Sequence, residues 1–278
     1  MNVKAHIAVL AENTAAARNA RGEHGLAFWI ETDGRRLLFD TGQGLVLADN
    51  ARALNIDPGV VDTLVLSHGH YDHTGGLAAV LRQAAGEVRV HAHPDALLPK
   101  YRRTQGAVRK IGMPAESRDA LSGPRCRLIT SLNPTEVAPG VWSTGEIPRR
   151  HIEETPTETF CKDPDGREND PLLDDQALFM ETASGIVVLL GCAHAGVVNT
   201  LDHIRLLTNG RPIHAVLGGM HLRAASKDRL AWTIGELRRF DLHRLAAMHC
   251  TGAKASAALW HAFPDACREW GAGTICEF

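Results

Sequence analysis

The sequence lacks a strong excess of charge of either sign, and it also lacks long apolar runs. Its formal net charge is −2 at pH 7, and 22% of its residues are charged. Nucleic acids and anionic membranes attract strongly basic chains, so this balance points to neither as a partner. The N-terminal apolar stretch is too short and too interrupted for a signal peptide, and no segment approaches the length of a membrane span. We therefore expect a cytoplasmic enzyme whose partner is a small molecule.

Paired cysteines, internal repeats and low-complexity tracts are missing as well. The six cysteines are scattered, and none belongs to a Cys-x-x-Cys pair. This favours free thiols in a reducing compartment over a disulfide framework. The 278 residues, 44% of them apolar, are enough for a large core. Predicted strands alternate with helices in both halves, which indicates a mixed α and β protein.

The most informative stretch joins a short apolar strand to a dense group of metal-binding side chains. Residues 63–66 have the character of a buried strand, and His68, His70, Asp72 and His73 follow directly. Imidazole and carboxylate groups are the donors that zinc and similar divalent ions prefer. Histidines two residues apart project to the same side of an extended loop. One ion could therefore take the first two histidines, and a neighbouring ion could take Asp72 and His73.

The pattern His-x-His-x-Asp-His after a strand resembles the signature of the metallo-β-lactamase superfamily. Further motifs follow the superfamily order: Asp40-Thr41-Gly42, Thr144-Gly145-Glu146-Ile147-Pro148, Gly191-Cys192-Ala193-His194-Ala195-Gly196, Gly218-Gly219-Met220-His221-Leu222 and His249-Cys250-Thr251-Gly252. This set resembles the subgroup of dihydropterin-type aminobenzene-phosphate synthases of methanopterin biosynthesis. The resemblance implies an α+β fold in one αββα domain over residues 1–278, with two packed mixed sheets, helices outside and metals at one edge between the sheets.

The resemblance also implies two divalent metal ions, most simply zinc, with manganese or iron as alternatives. The expected ligands are His68, His70 and His194 for one ion and Asp72, His73 and His249 for the other. Asp40, at the end of a predicted strand, is expected to orient a ligand histidine rather than serve only as a turn residue.

Two positions depart from the superfamily pattern. Much of the superfamily presents Pro-Gly-His where this sequence has Glu146, so either Glu146 is an oxygen ligand or the first ion finds its remaining ligands elsewhere. Cys192 stands roughly where a bridging aspartate is usual, and it is either a thiolate ligand or a small apolar filler. These departures argue against classical lactamase activity. His91 and His93 repeat the spacing of the first two ligands but lack the following Asp-His, and we interpret them as structural.

Other residues are expected to meet the substrate. His221 follows two glycines and could contact a substrate group or exchange a proton. Arg149 and His151 lie at the root of a long polar loop, 149–175, which we interpret as a lid or a subunit contact. A basic run within residues 95–124 is either a solvated face or a cap that receives an anionic group such as a phosphate.

The sequence thus predicts a binuclear metal-dependent hydrolase. A metal-bridging hydroxide would attack a phosphoester, a lactone or a similar electrophile, and Asp72 would also steer the proton of that hydroxide. A pterin-related synthase is a subclass of this hypothesis. The alternative of a different class, motivated by Glu146 and Cys192, is a metal-containing protein that binds or senses a ligand with little turnover. A homodimer is compatible with either function.

Overall fold

The computed structural model describes residues 2–105, 107–156 and 158–278. The expected cap and the expected lid each include one residue outside these ranges, namely Gly106 and Thr157. The strands are β1 (Ala5–Ala11), β2 (Ala27–Thr32), β3 (Arg35–Phe39), β4 (Thr63–Val65), β5 (Val88–Ala92), β6 (Tyr101–Thr104), β7 (Ala107–Lys110), β8 (Cys126–Thr130), β9 (Thr135–Ala138), β10 (Val141–Ser143), β11 (Thr159–Cys161), β12 (Ala177–Thr182), β13 (Gly185–Leu190), β14 (Ile213–Gly219), β15 (Arg244–Met248) and β16 (Ile275–Glu277).

The helices follow strands and cover the outer faces of the sheets. They are α1 (Leu47–Ala53), α2 (Tyr71–Thr74), α3 (Leu77–Gln83), α4 (Ala115–Ala120), α5 (Val197–Leu207), α6 (Lys227–Leu237) and α7 (Ala253–Ala262). Short 3₁₀ helices lie at Pro58–Val60, Pro94–Leu97, Ile152–Glu154, Arg238–Phe240 and His249–Thr251. Among the described residues, no helix combines the length and the apolar character needed to span a lipid bilayer.

The first sheet has the strand order β16-β1-β2-β3-β4-β5-β8. Its N-terminal strands are antiparallel, and β3, β4, β5 and β8 run parallel to one another. Asp33 and Gly34 form a two-residue turn between β2 and β3, with φ of 45° and 77°. Positive φ at both positions gives the turn a twist that matches paired strands, which explains the Asp-Gly sequence.

The second sheet has the order β15-β14-β13-β12-β10-β9. Strands β13, β14 and β15 are parallel, and β12 forms a hairpin with β13. All six residues of β13 are buried, as expected for an apolar run in the centre of a sheet. The carboxyl ends of β13, β14 and β15 therefore lie together at one edge, and each leads into a loop that carries a predicted site residue.

The two sheets pack face to face around a shared core. Buried side chains from both sheets form this core, among them Phe28, Phe39, Leu178, Leu189 and Leu217. A second cluster lies between the first sheet and helices α1 and α3, and a third lies between the second sheet and helices α5, α6 and α7. The predicted α+β class and the αββα arrangement are confirmed.

The expected cap and the expected lid join in a small third sheet that the sequence did not predict. Strand β6 of the basic run pairs with β7 on one side and with β11 of the polar loop on the other. Three of the four β6 side chains are exposed, so the alternation of buried and exposed positions that marks a strand is missing. Residues 159–161, within the predicted loop 149–175, therefore form a strand. Helix α4 was missed as well.

Candidate metal centre

The predicted ligands lie on loops at the carboxyl ends of strands. One loop follows β4, a second follows β13, and His249 directly follows β15. The ends of parallel strands are common sites for ligands because several loops meet there. Four non-glycine residues in the loops after β3, β13, β14 and β15 adopt positive φ: Asp40 at 60°, Ala193 at 52°, His221 at 49° and His249 at 49°. Such conformations tend to cluster at functional sites, where the surrounding structure holds them in place.

Three of the histidines form the first group. The ring centroid of His68 lies 4.5 Å from that of His70 and 4.8 Å from that of His194, and the other two centroids are 4.9 Å apart. All three side chains are buried. Within the described residues, neither ring nitrogen of His194 has a hydrogen-bond partner, and neither has His70 Nε2. Buried polar atoms rarely stay unpaired, so this group has the composition of a site for a cation.

The other three predicted ligands form a second group beside the first. His73 Nε2 lies 3.3 Å from His249 Nε2, and His249 Nε2 lies 3.4 Å from Asp72 Oδ2. The rings of His68 and His73 connect the two groups, with their centroids 4.3 Å apart. All six ligand-type residues predicted from the sequence are therefore brought together.

Cys192 lies between the two groups. Its Sγ is 3.2 Å from His73 Nε2. It belongs to three ligand-type clusters: one with His68 and His194, one with His73 and His249, and one with His221 and Cys250. Its loop approaches the β4 loop closely, because a Cβ on Gly191 would lie 2.2 Å from the Ser67 hydroxyl oxygen. Burial raises the pKa of the Cys192 thiol, and the neighbouring Cys250 adds to this effect. The thiol would therefore keep its proton until a bound cation replaced it, with the proton released to solvent.

Asp40 orients two of the histidines. Its carboxylate accepts hydrogen bonds of 2.6 Å from His73 Nδ1 and 2.6 Å from the Ser67 hydroxyl. Because that hydroxyl gives its single proton to Asp40, its oxygen accepts from His68 Nδ1, at 2.8 Å. The Nε2 atoms of His68 and His73 consequently face the centre. This is the arrangement in which a carboxylate fixes the ring orientation of metal-binding histidines.

Two residues that the sequence did not single out orient His249. Asn13 Oδ1 accepts from His249 Nδ1 at 2.9 Å and from the Gly25 amide at 3.3 Å, while Asn13 Nδ2 donates to the His249 carbonyl at 3.4 Å. Glu12 accepts a hydrogen bond of 2.7 Å from the His249 amide. Residues 12–24 read as a polar loop without a period, so no local signal marked these two residues.

His24 is a further addition to the centre. Its Nε2 lies 3.2 Å from Asp72 Oδ2, and it forms a ligand-type group with Asp72 and His249. Burial opposes ionisation of Asp72, but the hydrogen bond from His24 and the nearby positive charge hold the pKa of Asp72 well below its usual range. The side chain of His24 is 45% exposed, so it connects the buried carboxylate to solvent.

The donor set fits divalent cations. Burial lowers the pKa of His70 to about 3 and holds those of His68 and His194 well below the ordinary value, so these rings are neutral and can donate electron pairs. Burial also opposes protonation of His73, but Asp40 outweighs it and raises the pKa of His73 to about 9. The second group thus attracts positive charge, and a divalent ion would compete there with the proton.

A cavity of about 190 Å³ opens onto this centre. Four ligand-type residues line it: His70, Asp72, His194 and His249. The rest of its walls include Cys192, Cys250, Arg102, Arg223, Phe160, Tyr71 and Ile111. The predicted His221 also lines it, and His221 Nε2 is hydrogen-bonded to the Glu158 carboxylate. The ring of Phe160 lies 5.5 Å from that of His70 and 5.2 Å from that of His194. The cavity therefore offers positive charge and one flat apolar wall.

The structure does not bring every predicted residue into this cavity. Arg149 donates to the carbonyl oxygens of His194 at 3.1 Å and Leu172 at 3.2 Å, so it supports the ligand loop from outside. His151 lies on another face, where its Nε2 is 2.9 Å from Asp202 Oδ2. The expected contacts of Arg149 and His151 with the substrate thus have no counterpart in the lining of the cavity.

Glu146 and most of the basic run, whose roles the sequence left undecided, also lie apart from the centre. The Glu146 carboxylate accepts a hydrogen bond of 3.1 Å from His93 Nε2, and among the described residues it joins none of the ligand-type groups. Lys100, from the basic run, is buried between Asp170 and Asp174, at 3.0 Å and 2.8 Å. Of the basic residues in the cap, Arg102 is the one that lines the cavity.

Comparisons with known proteins agree with this geometry. A family model described as the metallo-beta-lactamase superfamily matches residues 20–198. The chain is 31% identical, over 271 residues, to the 7,8-dihydropterin-6-methyl-4-(beta-D-ribofuranosyl)-aminobenzene-5'-phosphate synthase of Methanocaldococcus jannaschii, with 92% of this chain and 90% of that protein covered.

Solved structures show the same relationship. Tm1679, described as a metal-dependent hydrolase of the beta-lactamase superfamily, matches with a TM-score of 0.83 and 29% identity over 99% of both chains. The zinc-bound PqqB of Methylobacterium extorquens has the same fold, with a TM-score of 0.59 and 14% identity over 98% of this chain and 100% of that one. Because the family model spans more than half of the sequence and the synthase matches along nearly all of it, this chain belongs to the metallo-beta-lactamase superfamily.

Proposed function

We propose that this protein is a metal-dependent enzyme that holds two divalent ions, most simply zinc, and acts on a small anionic substrate. The observation that carries the proposal is the convergence of six ligand-type side chains in two adjoining groups with Cys192 between them. His68, His70 and His194 would hold one ion, and Asp72, His73 and His249 would hold the other. When bound, two such ions lower the pKa of a shared water and stabilise negative charge on a reacting group.

Hydrogen bonds to neighbouring residues would fix which ring nitrogen of His73 and His249 carries a proton. Asp40 and Asn13 accept hydrogen bonds from the Nδ1–H groups of His73 and His249, so the Nε2 atoms of both rings face inward. Asp72 Oδ2 would receive the proton of an attacking water, and His24, which lies 3.2 Å away and is partly exposed, would connect it to solvent. Asp72 and His24 also line the cavity, so this proton path would open onto the same space as the substrate.

The cavity supports a small substrate with an anionic part. Arg102 and Arg223 supply positive charge, and Phe160 supplies a flat apolar surface beside the ligand histidines. His221 also lines the cavity and would donate a proton to, or hydrogen-bond with, the departing group. Hydrolysis of a phosphoester or a lactone-like bond is the reaction that uses all of these features.

A second candidate is a pterin-related synthase, and the 31% identity to the Methanocaldococcus jannaschii synthase favours it. The name of that relative implies a planar dihydropterin part and a 5'-phosphate. A flat wall and two arginines beside a metal centre suit both features. In this version the same residues would join two substrate parts instead of splitting one bond.

The first test is the metal content of gently purified protein, measured by mass spectrometry. We expect about two ions per chain. The loaded protein is then assayed against a panel of phosphoesters and lactones and, separately, with a dihydropterin and a phosphorylated aminobenzene precursor. Asp72→Ala should abolish turnover without unfolding the chain, while the exposed Asp265→Ala serves as a control. One ion or none in a folded protein would favour a ligand-binding or sensing role. Full activity of the Asp72 variant would refute the proposed role of Asp72 in turnover.

A further inference from the structure

The carboxylate of Glu158 lies inside the cavity, where it is bound by cationic side chains. It is hydrogen-bonded to His221 Nε2 and accepts a hydrogen bond of 2.9 Å from Arg102. The side chain of Glu158 is only 17% exposed. Its neighbours come from different parts of the fold, because Arg102 lies on β6 and His221 on the loop after β14. The Glu158 carboxylate therefore lies where cationic side chains from separate elements converge.

Positive charge near Glu158 comes from more side chains than Arg102 and His221 alone. Arg223 lines the same cavity, and Arg229, on α6, adds to the positive charge near Glu158. Within the described residues, the buried Nε of Arg229 has no hydrogen-bond partner. Burial opposes ionisation of Glu158, but His221, Arg102 and Arg229 together lower its pKa below the usual value. A second or larger anionic charge would be stabilised at this position.

The position of Glu158 relative to the metal centre matters for function. The ring of His221 lies 4.4 Å from the ring of His194, one of the proposed metal ligands. An anionic group that replaced the Glu158 carboxylate would therefore lie next to the centre. The cavity of about 190 Å³ is also smaller than the roughly 300 Å³ at which ligand pockets usually begin. Displacing the Glu158 side chain would enlarge it.

We propose that Glu158 stands in for the anionic group of the substrate, and that Arg102, His221 and Arg223 form a phosphate subsite beside the metal centre. This inference rests on the proposed function and specifies its substrate class as a phosphate monoester. A phosphate monoester carries three acceptor oxygens and about −1.5 to −2 charges at pH 7, against two oxygens and one charge on a carboxylate. It would displace Glu158 from the arginine and histidine donors.

The alternative is that Glu158 and Arg102 form an ion pair that only fastens β11 to its neighbours. The two readings predict different responses to substitution. If the pair is only structural, removing either partner has the same consequence. In a phosphate subsite, Glu158 competes with the ligand whereas Arg102 binds it, so removing the two partners changes phosphate affinity in opposite directions.

The experiment measures the binding of inorganic phosphate to metal-loaded protein by isothermal titration calorimetry at low salt. We expect Glu158→Gln to tighten binding about tenfold and Arg102→Gln to weaken it about tenfold, the usual effect of one charge-assisted hydrogen bond. Two variants with the same charge changes serve as controls: Glu153→Gln, which is exposed in a nearby 3₁₀ helix, and Arg109→Gln, which is paired with Arg102 on β7 but lies outside the cavity lining. Both should bind phosphate as the wild type does.

Any other pattern overturns the inference. Shifts of both test variants in the same direction would mean a structural ion pair, and an unchanged affinity in either would mean that phosphate binds at the ions alone. Metal content is measured on the same samples. A protein that fails to hold metal refutes the proposed function, whereas the opposite shifts of the two variants test the phosphate subsite separately.

Discussion

Cys192 Sγ lies 3.2 Å from His73 Nε2, although 119 positions separate the two residues in the sequence. This contact joins the loop after β13 to the loop after β4, and so it connects the two sheets at the metal centre. A buried thiol at this distance from an imidazole nitrogen can act as a ligand once a cation removes its proton. The two roles that the sequence left open for Cys192, ligand or filler, thus become distinguishable by experiment.

Cobalt spectroscopy of cysteine variants tests whether Cys192 is a ligand. Cobalt(II) bound to a thiolate gives a near-ultraviolet charge-transfer band, because sulfur is a soft and easily oxidised donor. We expect this band in the cobalt-loaded wild type and its loss in Cys192→Ser. Cys267→Ser, a buried cysteine of the core around α7, should keep the band. If Cys250→Ser loses the band and Cys192→Ser keeps it, the ligand is the neighbouring thiol instead.

Asp40→Asn tests the carboxylate that orients His73 and His68. Asparagine tolerates the φ of 60° at this position, so the backbone should be retained. Asp40 Oδ2 accepts two hydrogen bonds as a charged oxygen. The neutral amide of asparagine would accept them more weakly. We expect zinc affinity, measured by competition with a chelating dye, to fall by roughly 10- to 100-fold. Zinc affinity equal to that of the wild type would mean that Asp40 is only a turn residue.

The part of the centre that could be predicted from the sequence is the part encoded locally. The spacing of His68, His70 and His73 and the apolar strand before them lie within one short stretch. The contact of Asn13 with His249 joins residues 236 positions apart. No periodicity or spacing encodes such a pair, so it appears only when the fold brings the loops together.

The cap shows a different limit of sequence reasoning. Arg102 belongs to β6, whose side chains are mostly exposed, and Glu158 directly precedes β11, which has only three residues, so apolar alternation did not reveal the small sheet. Arg149 was expected at the substrate because it is basic and follows a motif. Its guanidinium instead binds backbone carbonyls, which are acceptors that the sequence does not distinguish from a substrate.

Lys100→Met tests the buried ion cluster beneath the cap. Lys100 is 1% exposed and is bound to Asp170 and Asp174, and Asp174 also accepts a hydrogen bond of 2.8 Å from the Gly69 amide in the ligand loop. Removing the cation leaves two carboxylates buried without their partner. We expect the free energy of unfolding, measured by urea denaturation, to fall by about 3–5 kcal/mol.

The matched control for Lys100 is Lys110→Met on β7, whose side chain is exposed. It should change the free energy of unfolding by less than about 0.5 kcal/mol, as is usual for surface positions. The triple variant Lys100→Met, Asp170→Asn, Asp174→Asn should recover part of the loss, because no unpaired charge remains. A loss below about 1 kcal/mol in Lys100→Met would show that water reaches the two carboxylates.

His91 gives the fold a specific sensitivity to acid. It is 7% exposed on β5, its Nε2 has no hydrogen-bond partner among the described residues, and burial, with the charge of Arg89, lowers its pKa from 6.5 to about 4. Between pH 6.5 and 4, the unfolded chain therefore binds a proton that the folded chain does not. Stability is lost as the pH falls through this window and is fully present above it.

His91→Gln should remove this part of the acid sensitivity. Because some solvent reaches the ring, we expect the drop in free energy of unfolding from pH 7 to pH 4 to become smaller by about 1–2 kcal/mol. The other histidines are common to both proteins, so the difference between the two urea-denaturation profiles isolates His91. The exposed His261→Gln should follow the wild-type profile. Parallel profiles for His91→Gln and the wild type would mean that His91 titrates alike in the folded and unfolded chains, and the acid sensitivity would then lie in the metal-binding histidines.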